Sequence, residues 1–297
     1  MEKLIIAVGL NENVTREQNP NVALTPEEIA ADVAACVEAG ASIIHLHGRD
    51  PKTGAPRLTD PDIYLRIFRA IRRVADVPTY PTYLTIPMPD RYRHVEALAQ
   101  DPQCNLEIAP IIGGSVNIIK VDPATNKFVG RSLDDTVLYD PWSCIMHHME
   151  FARKHNLWVS HDIFEPGMVR HSIVMSKMGL YHRPFLLKFF MAENHPFGFP
   201  PEPRYLEVFA GMIPKGMDCE WLFLPFGVNY KSALACWKWA IANGGHVRVG
   251  LGDNPGGDGY LPTNAERIRE IAGLARSMGR EVATVADVRA RFAPIKK

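Results

Sequence analysis

The sequence predicts an α/β protein: a (β/α)8 barrel formed as a single domain by residues 1–297. Three observations lead there. Apolar strand-like runs alternate with helix-like segments from end to end, in eight pairs. The two most chemically loaded stretches, His45-Leu46-His47 and His246 to Asp253, fall at the carboxyl ends of such runs, where barrels of this kind build their sites. No GxGxxG follows the first strand, which argues against the competing doubly wound open sheet.

Lys3 to Leu10 is the first apolar run. Thr25-Pro26-Glu27-Glu28 opens a helix: Thr is a good N-cap, Pro is tolerated in the first turn, and acids favour the positive end of the helix dipole. Gly40 stops it. Ser42 to His47 is the second strand. Asp60 to Ala75 is its helix, with Ile63, Ile67, Ala70 and Ile71 on one stripe. Thr79 to Thr85 is the third strand, with Pro81 its weak point, since proline cannot donate to a ladder. Asp90 to Gln100 follows as a helix. Leu106 to Ile112 is the fourth strand, ending in Gly113-Gly114. Residues 115 to 139 lack clear periodicity, and a helix covers Asp140 to Asn156. The remaining pairs are Leu157 to Phe164 with Met168 to Met178, Phe185 to Met191 with Glu202 to Ile213, Trp221 to Phe226 with Lys231 to Asn243, and His246 to Leu251 with Asn264 to Met278. Thr284 to Phe292 adds a short last helix. The Pro-rich stretch 192 to 203 is a second long loop, and long loops in compact domains are often functional.

Bulk composition excludes several classes. Lys plus Arg and Asp plus Glu both number 33, so no basic excess points to nucleic acid and no charge block to a tail. The five cysteines are scattered without a CxxC pair, which suits free thiols in a reducing compartment. No cleavable signal pattern opens the chain, and no apolar run reaches the ~18 residues of a membrane span. A cytoplasmic protein is expected.

Among candidate site residues His45 and His47 lead. Alternate residues of a strand share a face, so the two imidazoles can bite one divalent metal. On the last strand His246, Arg248 and Gly250 share a face, and Asp253 lies just past its end. Arg248 can fork onto a carboxylate or oxyanion, and Asp253 can serve as ligand or general base; equally, the two can form an ion pair that ties the barrel shut. In Ser160-His161-Asp162-Ile163-Phe164-Glu165, His161 and Ile163 share one face, and Ser160, Asp162 and Phe164 the other. That segment serves either a hydrogen-bonded barrel layer or catalysis. Gly113-Gly114-Ser115 either lets backbone N–H groups approach an anion or simply turns the chain. Glu12, in Asn11-Glu12-Asn13, faces a metal from the neighbouring strand or is a solvated loop acid. His94, His147, His148, His155, His171 and His182 read as packing or surface residues.

Taken in order, these stretches resemble the β-keto acid cleavage enzymes. The resemblance runs through Thr25-Pro26-Glu27-Glu28-Ile29-Ala30, the segment from Glu38 to Asp50 around His45-Leu46-His47, Phe164-Glu165-Pro166-Gly167-Met168, the segment from Gly244 to Asn254, and Thr263-Asn264-Ala265. It implies a zinc enzyme, a homotetramer, that condenses a β-keto acid with acetyl-CoA to give acetoacetate and a new acyl-CoA. It makes His45 and His47 zinc ligands and Arg248 and Asp253 the catalytic pair, with zinc polarising the keto group and the aspartate moving a proton. The substrate-binding candidates are Glu12, Asn13, Thr82, Thr85, Gly113 and Ser115. The family pattern carries a Glu, its third zinc ligand, where this chain has Gly252, and a hydroxyl residue where it has Pro110. A substitute third ligand is therefore expected, from Glu12, His161 or Asp253. Two other functions fit the same residues: an amidohydrolase-type metal hydrolase, and a non-catalytic relative that binds a small carboxylate.

Overall fold

The computed structural model describes residues 2–84, 86–129, 137–257 and 259–294. Eight parallel strands, β1 (Ile6–Gly9), β2 (Ile43–Leu46), β3 (Thr79–Pro81), β4 (Ile108–Ile112), β5 (Trp158–Ile163), β6 (Phe185–Ala192), β7 (Cys219–Phe226) and β8 (His246–Val249), form one sheet. The hydrogen-bonded order is β3-β2-β1-β8-β7-β6-β5-β4, so the sheet curls until β3 and β4 lie side by side and the barrel is nearly closed. The ladder is interrupted at that seam, where Pro81 and Pro110 have no N–H to offer. Side chains take over. Tyr92 OH donates to Pro110 O at 3.0 Å, Ile112 N donates to Tyr83 OH at 2.6 Å, and His94 Nε2 lies 2.6 Å from Thr82 O. Buried backbone groups that lose a ladder partner need such replacements.

Register fixes which side chains enter the barrel. Ala7 is paired with both Arg248 and Ile43, Gly9 with His45, and His45 with Tyr80. On the far side Ile112, Asp162, Lys188 and Leu222 are paired in succession. Phe189 stacks on Phe209 of the surrounding helices at 4.8 Å, so its neighbour Lys188 points inward.

Eight helices wrap the strands: α1 (Pro26–Ala39), α2 (Pro61–Arg72), α3 (Arg93–Gln100), α4 (Trp142–Lys154), α5 (Pro166–Lys177), α6 (Pro203–Gly211), α7 (Tyr230–Ala242) and α8 (Asn264–Ser277). Helix α1 starts on a reciprocal capping box between Thr25 and Glu28 and ends on left-handed Gly40, as its sequence signals demand. Helix α3 starts three residues later than the pattern suggests, because Pro87 and Pro89 hold the preceding segment in turns. Helix α9 (Val285–Arg291) lies at the amino end of the barrel, where the Trp158 ring of β5 stacks on Phe292 at 4.1 Å and Arg291 pairs with Glu220.

The aperiodic stretch after β4 contains two antiparallel ribbons, Val116–Asn117 with Val137–Leu138 and Lys120–Asp122 with Lys127–Val129. Val121 N donates to Asn194 O at 2.7 Å, which ties this insertion to the Pro-rich β6–α6 loop. No helix among the described residues is long and apolar enough to cross a membrane. The five cysteines are free thiols.

Candidate active site

Glu12, His45 and His47 meet at the carboxyl end of the barrel. His45 is on the inward face of β2, and His47 follows one residue past the strand. Asn11 grips His47 by its backbone: Asn11 Oδ1 accepts from His47 N at 2.9 Å, and Nδ2 donates to His47 O at 3.1 Å and to Ala23 O at 3.2 Å. The next residue, Glu12, has φ +35°, a left-handed conformation that side chains seldom adopt and that clusters at functional sites. Arg49 Nη1 holds its carbonyl at 2.7 Å. That turn sends the Glu12 carboxylate inward, with Oε1 3.1 Å from His45 Nε2 and Oε2 against His47 Nε2.

The three residues offer ligand atoms that all lie within 4.8 Å of one another. Two imidazoles and a carboxylate are a known donor set for catalytic zinc, with a fourth place left for water or substrate. The residues fit such an ion. Both Nδ1 atoms are buried without a partner among the described residues, so each ring is anchored through Nε2, the atom a metal would take. Burial pushes His45 down to about 3, which keeps it neutral with a free lone pair. Burial would raise Glu12, but His47, His45 and Arg248 hold it well below the usual carboxylate range.

Arg248, inward on β8, joins this cluster to Asp253. Its Nε donates to Asp253 Oδ2 at 2.9 Å, its Nη2 lies 2.9 Å from Oδ1, and the same Nη2 contacts Glu12 Oε1. Trp237 Nε1 braces the Arg248 carbonyl at 3.0 Å. Burial pushes Asp253 up to about 7, with Arg248 opposing and Glu12 adding to the shift. A carboxyl group poised near neutrality can both take and return a proton.

Two glycines make room. A Cβ on Gly252 would stand 2.2 Å from Glu12 Cγ and 2.8 Å from Gly9 O. A Cβ on Gly9 would stand 2.6 Å from Arg248 Nη2 and 2.7 Å from Asp253 Oδ2. Glu12 thus occupies the space beside position 252. Of the three substitute ligands expected, Glu12 is the one brought to the histidines. Asp253 is held in the Arg248 fork. His161 points out of the barrel, with Nε2 2.7 Å from Tyr181 OH, so it does not complete a hydrolase-type centre.

The other sequence candidates are dispersed around the rim. Asn13 is exposed, and Thr82 is half-buried with its N–H on Leu46 O at 3.3 Å. Thr85 lies outside the described residues. Gly113 N donates to Asp162 O at 2.8 Å, and Ser115 Oγ accepts from Asp140 N at 2.9 Å. Sequence reasoning missed Lys188. It is a lone lysine in the otherwise apolar run Phe185–Ala192, and that isolation was the available signal, since lysine is almost never fully buried without a partner.

Fold and site together define a (β/α)8-barrel enzyme with a buried two-histidine, one-carboxylate cluster at the mouth of the barrel. The chain belongs to the beta-keto acid cleavage enzyme family, whose model matches residues 3–293. It is 30% identical over 294 residues to a 3-keto-5-aminohexanoate cleavage enzyme of Fusobacterium nucleatum, covering 97% of each chain. It is 28% identical over 307 residues to a 3-dehydrocarnitine:acetyl-CoA trimethylamine transferase of Rhizobium meliloti, covering 95% of this chain and 93% of that one. The fold matches that of ObcA in its binary complex with oxaloacetate with a TM-score of 0.68 at 15% identity, over 93% of this chain and 68% of that one.

Proposed function

We propose that this enzyme uses a divalent metal, zinc, to condense a β-keto acid with acetyl-CoA. The bond between the keto carbon and the methylene carbon breaks. The methylene–carboxylate unit takes the acetyl group and leaves as acetoacetate, while the remaining acyl group leaves as its CoA thioester. The observation that carries this reading is the convergence of Glu12, His45 and His47 beside the Arg248–Asp253 pair.

Each residue has a distinct task. Glu12, His45 and His47 would hold the ion, which as a Lewis acid would polarise the keto oxygen. Asp253, with a near-neutral pKa, takes a proton from the methylene carbon and returns it. Arg248 fixes the Asp253 carboxylate at two points and keeps Glu12 ionised. Thr82, Gly113 and Ser115 stand at the rim as substrate contacts, with Asn13 and Thr85 as further candidates. The same resemblance extends the proposal to a cytoplasmic homotetramer.

The test is a panel of β-keto acids incubated with acetyl-CoA and zinc-loaded protein, read by mass spectrometry. The expected outcome is acetoacetate and a new acyl-CoA in equal amounts, abolished in His45→Ala/His47→Ala. Acetoacetate formed without consumption of acetyl-CoA, or equal turnover by the double variant, contradicts the reading.

A further inference from the structure

On β5 and β6, away from Glu12, His45 and His47, the barrel carries an ion pair and, beyond it, a group of aromatic rings; the inference drawn from them rests on the β-keto acid reading above. Asp162 and Lys188 are paired in register on the inward face. Lys188 Nζ lies 2.5 Å from Asp162 Oδ1 and 3.1 Å from Tyr80 OH, and 4.5 Å over the Tyr80 ring. Tyr80 in turn packs on the His45 ring at 4.6 Å. The ion pair therefore stands one side chain away from the cluster. The Lys188 side chain is 2% exposed and that of Asp162 19%, so the ammonium has no water to fall back on. Burial alone would lower its pKa, but Asp162 and Tyr80 raise it, and the group stays charged.

Toward the carboxyl ends of the strands the inward positions turn to carbon. Phe164 is two residues beyond Asp162, and Phe190 two beyond Lys188; their rings stack at 4.2 Å. Phe226, at the end of β7, lies 5.9 Å from Phe190. The β6–α6 loop brings Phe197 over this group, 5.1 Å from Phe164 and 5.9 Å from Phe226. That loop is fastened by Gly198 N donating to Glu165 Oε1 at 3.0 Å and by Asn194 O on the insertion.

We propose that the β-keto acid used here carries an uncharged, apolar side chain, alkyl or aryl, seated against Phe164, Phe190 and Phe226 beside the Lys188–Asp162 pair. A side chain ending in ammonium would have to take Asp162 from Lys188. One ending in carboxylate would have to take Lys188 from Asp162 and Tyr80. Either exchange leaves a charge unpaired in or beside the barrel core, and the phenylalanine rings offer no hydrogen bonds in return; the polar ring packed on them, His195 at 4.9 Å from Phe226, carries no carboxylate or ammonium to replace the lost partner. A quaternary ammonium would meet ring faces, but the Lys188–Asp162 pair beside them carries no net charge to attract it, and the strongest cation-binding ring, Trp, is absent from this group.

The test measures binding first, so that it does not depend on turnover. Zinc-loaded protein is titrated calorimetrically with hexanoate, 4-phenylbutanoate, 6-aminohexanoate, adipate and 4-(trimethylammonio)butanoate. Hexanoate or 4-phenylbutanoate is expected to bind at least about tenfold tighter than any of the three charged-tail acids. A charged-tail acid that binds as tightly, or no binding by either apolar acid, overturns the proposal. The matching 3-oxo acids with acetyl-CoA are expected to rank the same way in kcat/KM. Conversion with a charged tail preferred overturns the side-chain assignment and leaves the reaction standing. Apolar-ranked binding with no conversion of any 3-oxo acid overturns the reaction and leaves the side-chain assignment standing. Lys188→Met frees Asp162, so 6-aminohexanoate is expected to gain about tenfold relative to hexanoate; an unchanged ranking contradicts the role given to the ion pair.

Discussion

Arg248 and Asp253 are joined at two points, Nε to Oδ2 and Nη2 to Oδ1, each at 2.9 Å, and the same guanidinium touches Glu12. One cation therefore serves two carboxylates, Asp253 buried and Glu12 half-buried. Arg248→Met leaves both without it and is expected to cost about 3–5 kcal/mol in chemical denaturation. Arg248→Lys keeps the charge but loses the planar fork. It is expected to recover part of the stability and little of kcat/KM.

Position 252 has room for hydrogen only, since a Cβ would meet both Glu12 Cγ and the Gly9 carbonyl. Gly252→Ala is expected to displace Glu12, with a stability loss of about 1–3 kcal/mol and a fall in zinc affinity. The double variant Glu12→Ala/Gly252→Glu relieves the contact with Glu12 Cγ, leaves the one with the Gly9 carbonyl to be absorbed by a small shift, and supplies a carboxylate from the other loop. It is expected to bind zinc better than Glu12→Ala alone. Competition against a chromogenic chelator reads both effects.

Asn11 makes three hydrogen bonds that set the backbone of His47 and the loop before α1. Asn11→Ala leaves those buried groups unpaired, at about 1–3 kcal/mol. Loss of a residue that orients a ligand typically lowers metal affinity by about 10–100-fold. Thermal denaturation with and without zinc separates the two consequences.

Asp32 on α1 accepts from Asn264 Nδ2 at 2.7 Å, and burial pushes it up to about 6. The folded protein thus holds this proton more tightly than the unfolded chain, whose Asp titrates near ~3.9. Stability is lost as pH rises from about 4 through 6, by on the order of 1–3 kcal/mol. Asp32→Asn keeps an acceptor and buries no charge. It is expected to be more stable than the natural protein at pH 8, with the advantage gone near pH 4, as read by urea denaturation across that range.

Much of this was legible in the sequence because barrel strands obey strict alternation. His45 and His47 could be placed on one face at the end of the second strand, and Arg248 on one face of the last strand with Asp253 just past its carboxyl end, from the sequence alone. The limits are equally physical. Glu12 was visible as an acid near the site, but its inward aim depends on a left-handed residue held by Arg49, which no periodicity encodes. The ribbons after β4 are two or three residues long, too short to show a period. Lys188 was hidden because an inward lysine looks like an accident in an apolar run until Asp162 and Tyr80 are seen beside it. Pro81 marked the third strand as weak, but the seam between β3 and β4 and its repair by Tyr83 and Tyr92 are tertiary events.

The most direct test of the metal centre is the metal content of protein purified without chelators, compared with Glu12→Ala and His45→Ala/His47→Ala. About one zinc per chain in the natural protein, lost in the double variant and strongly reduced in Glu12→Ala, is the expected result. Protein that takes up no divalent ion even from excess zinc, or that retains a full complement after Glu12 is removed, contradicts a site built on Glu12, His45 and His47.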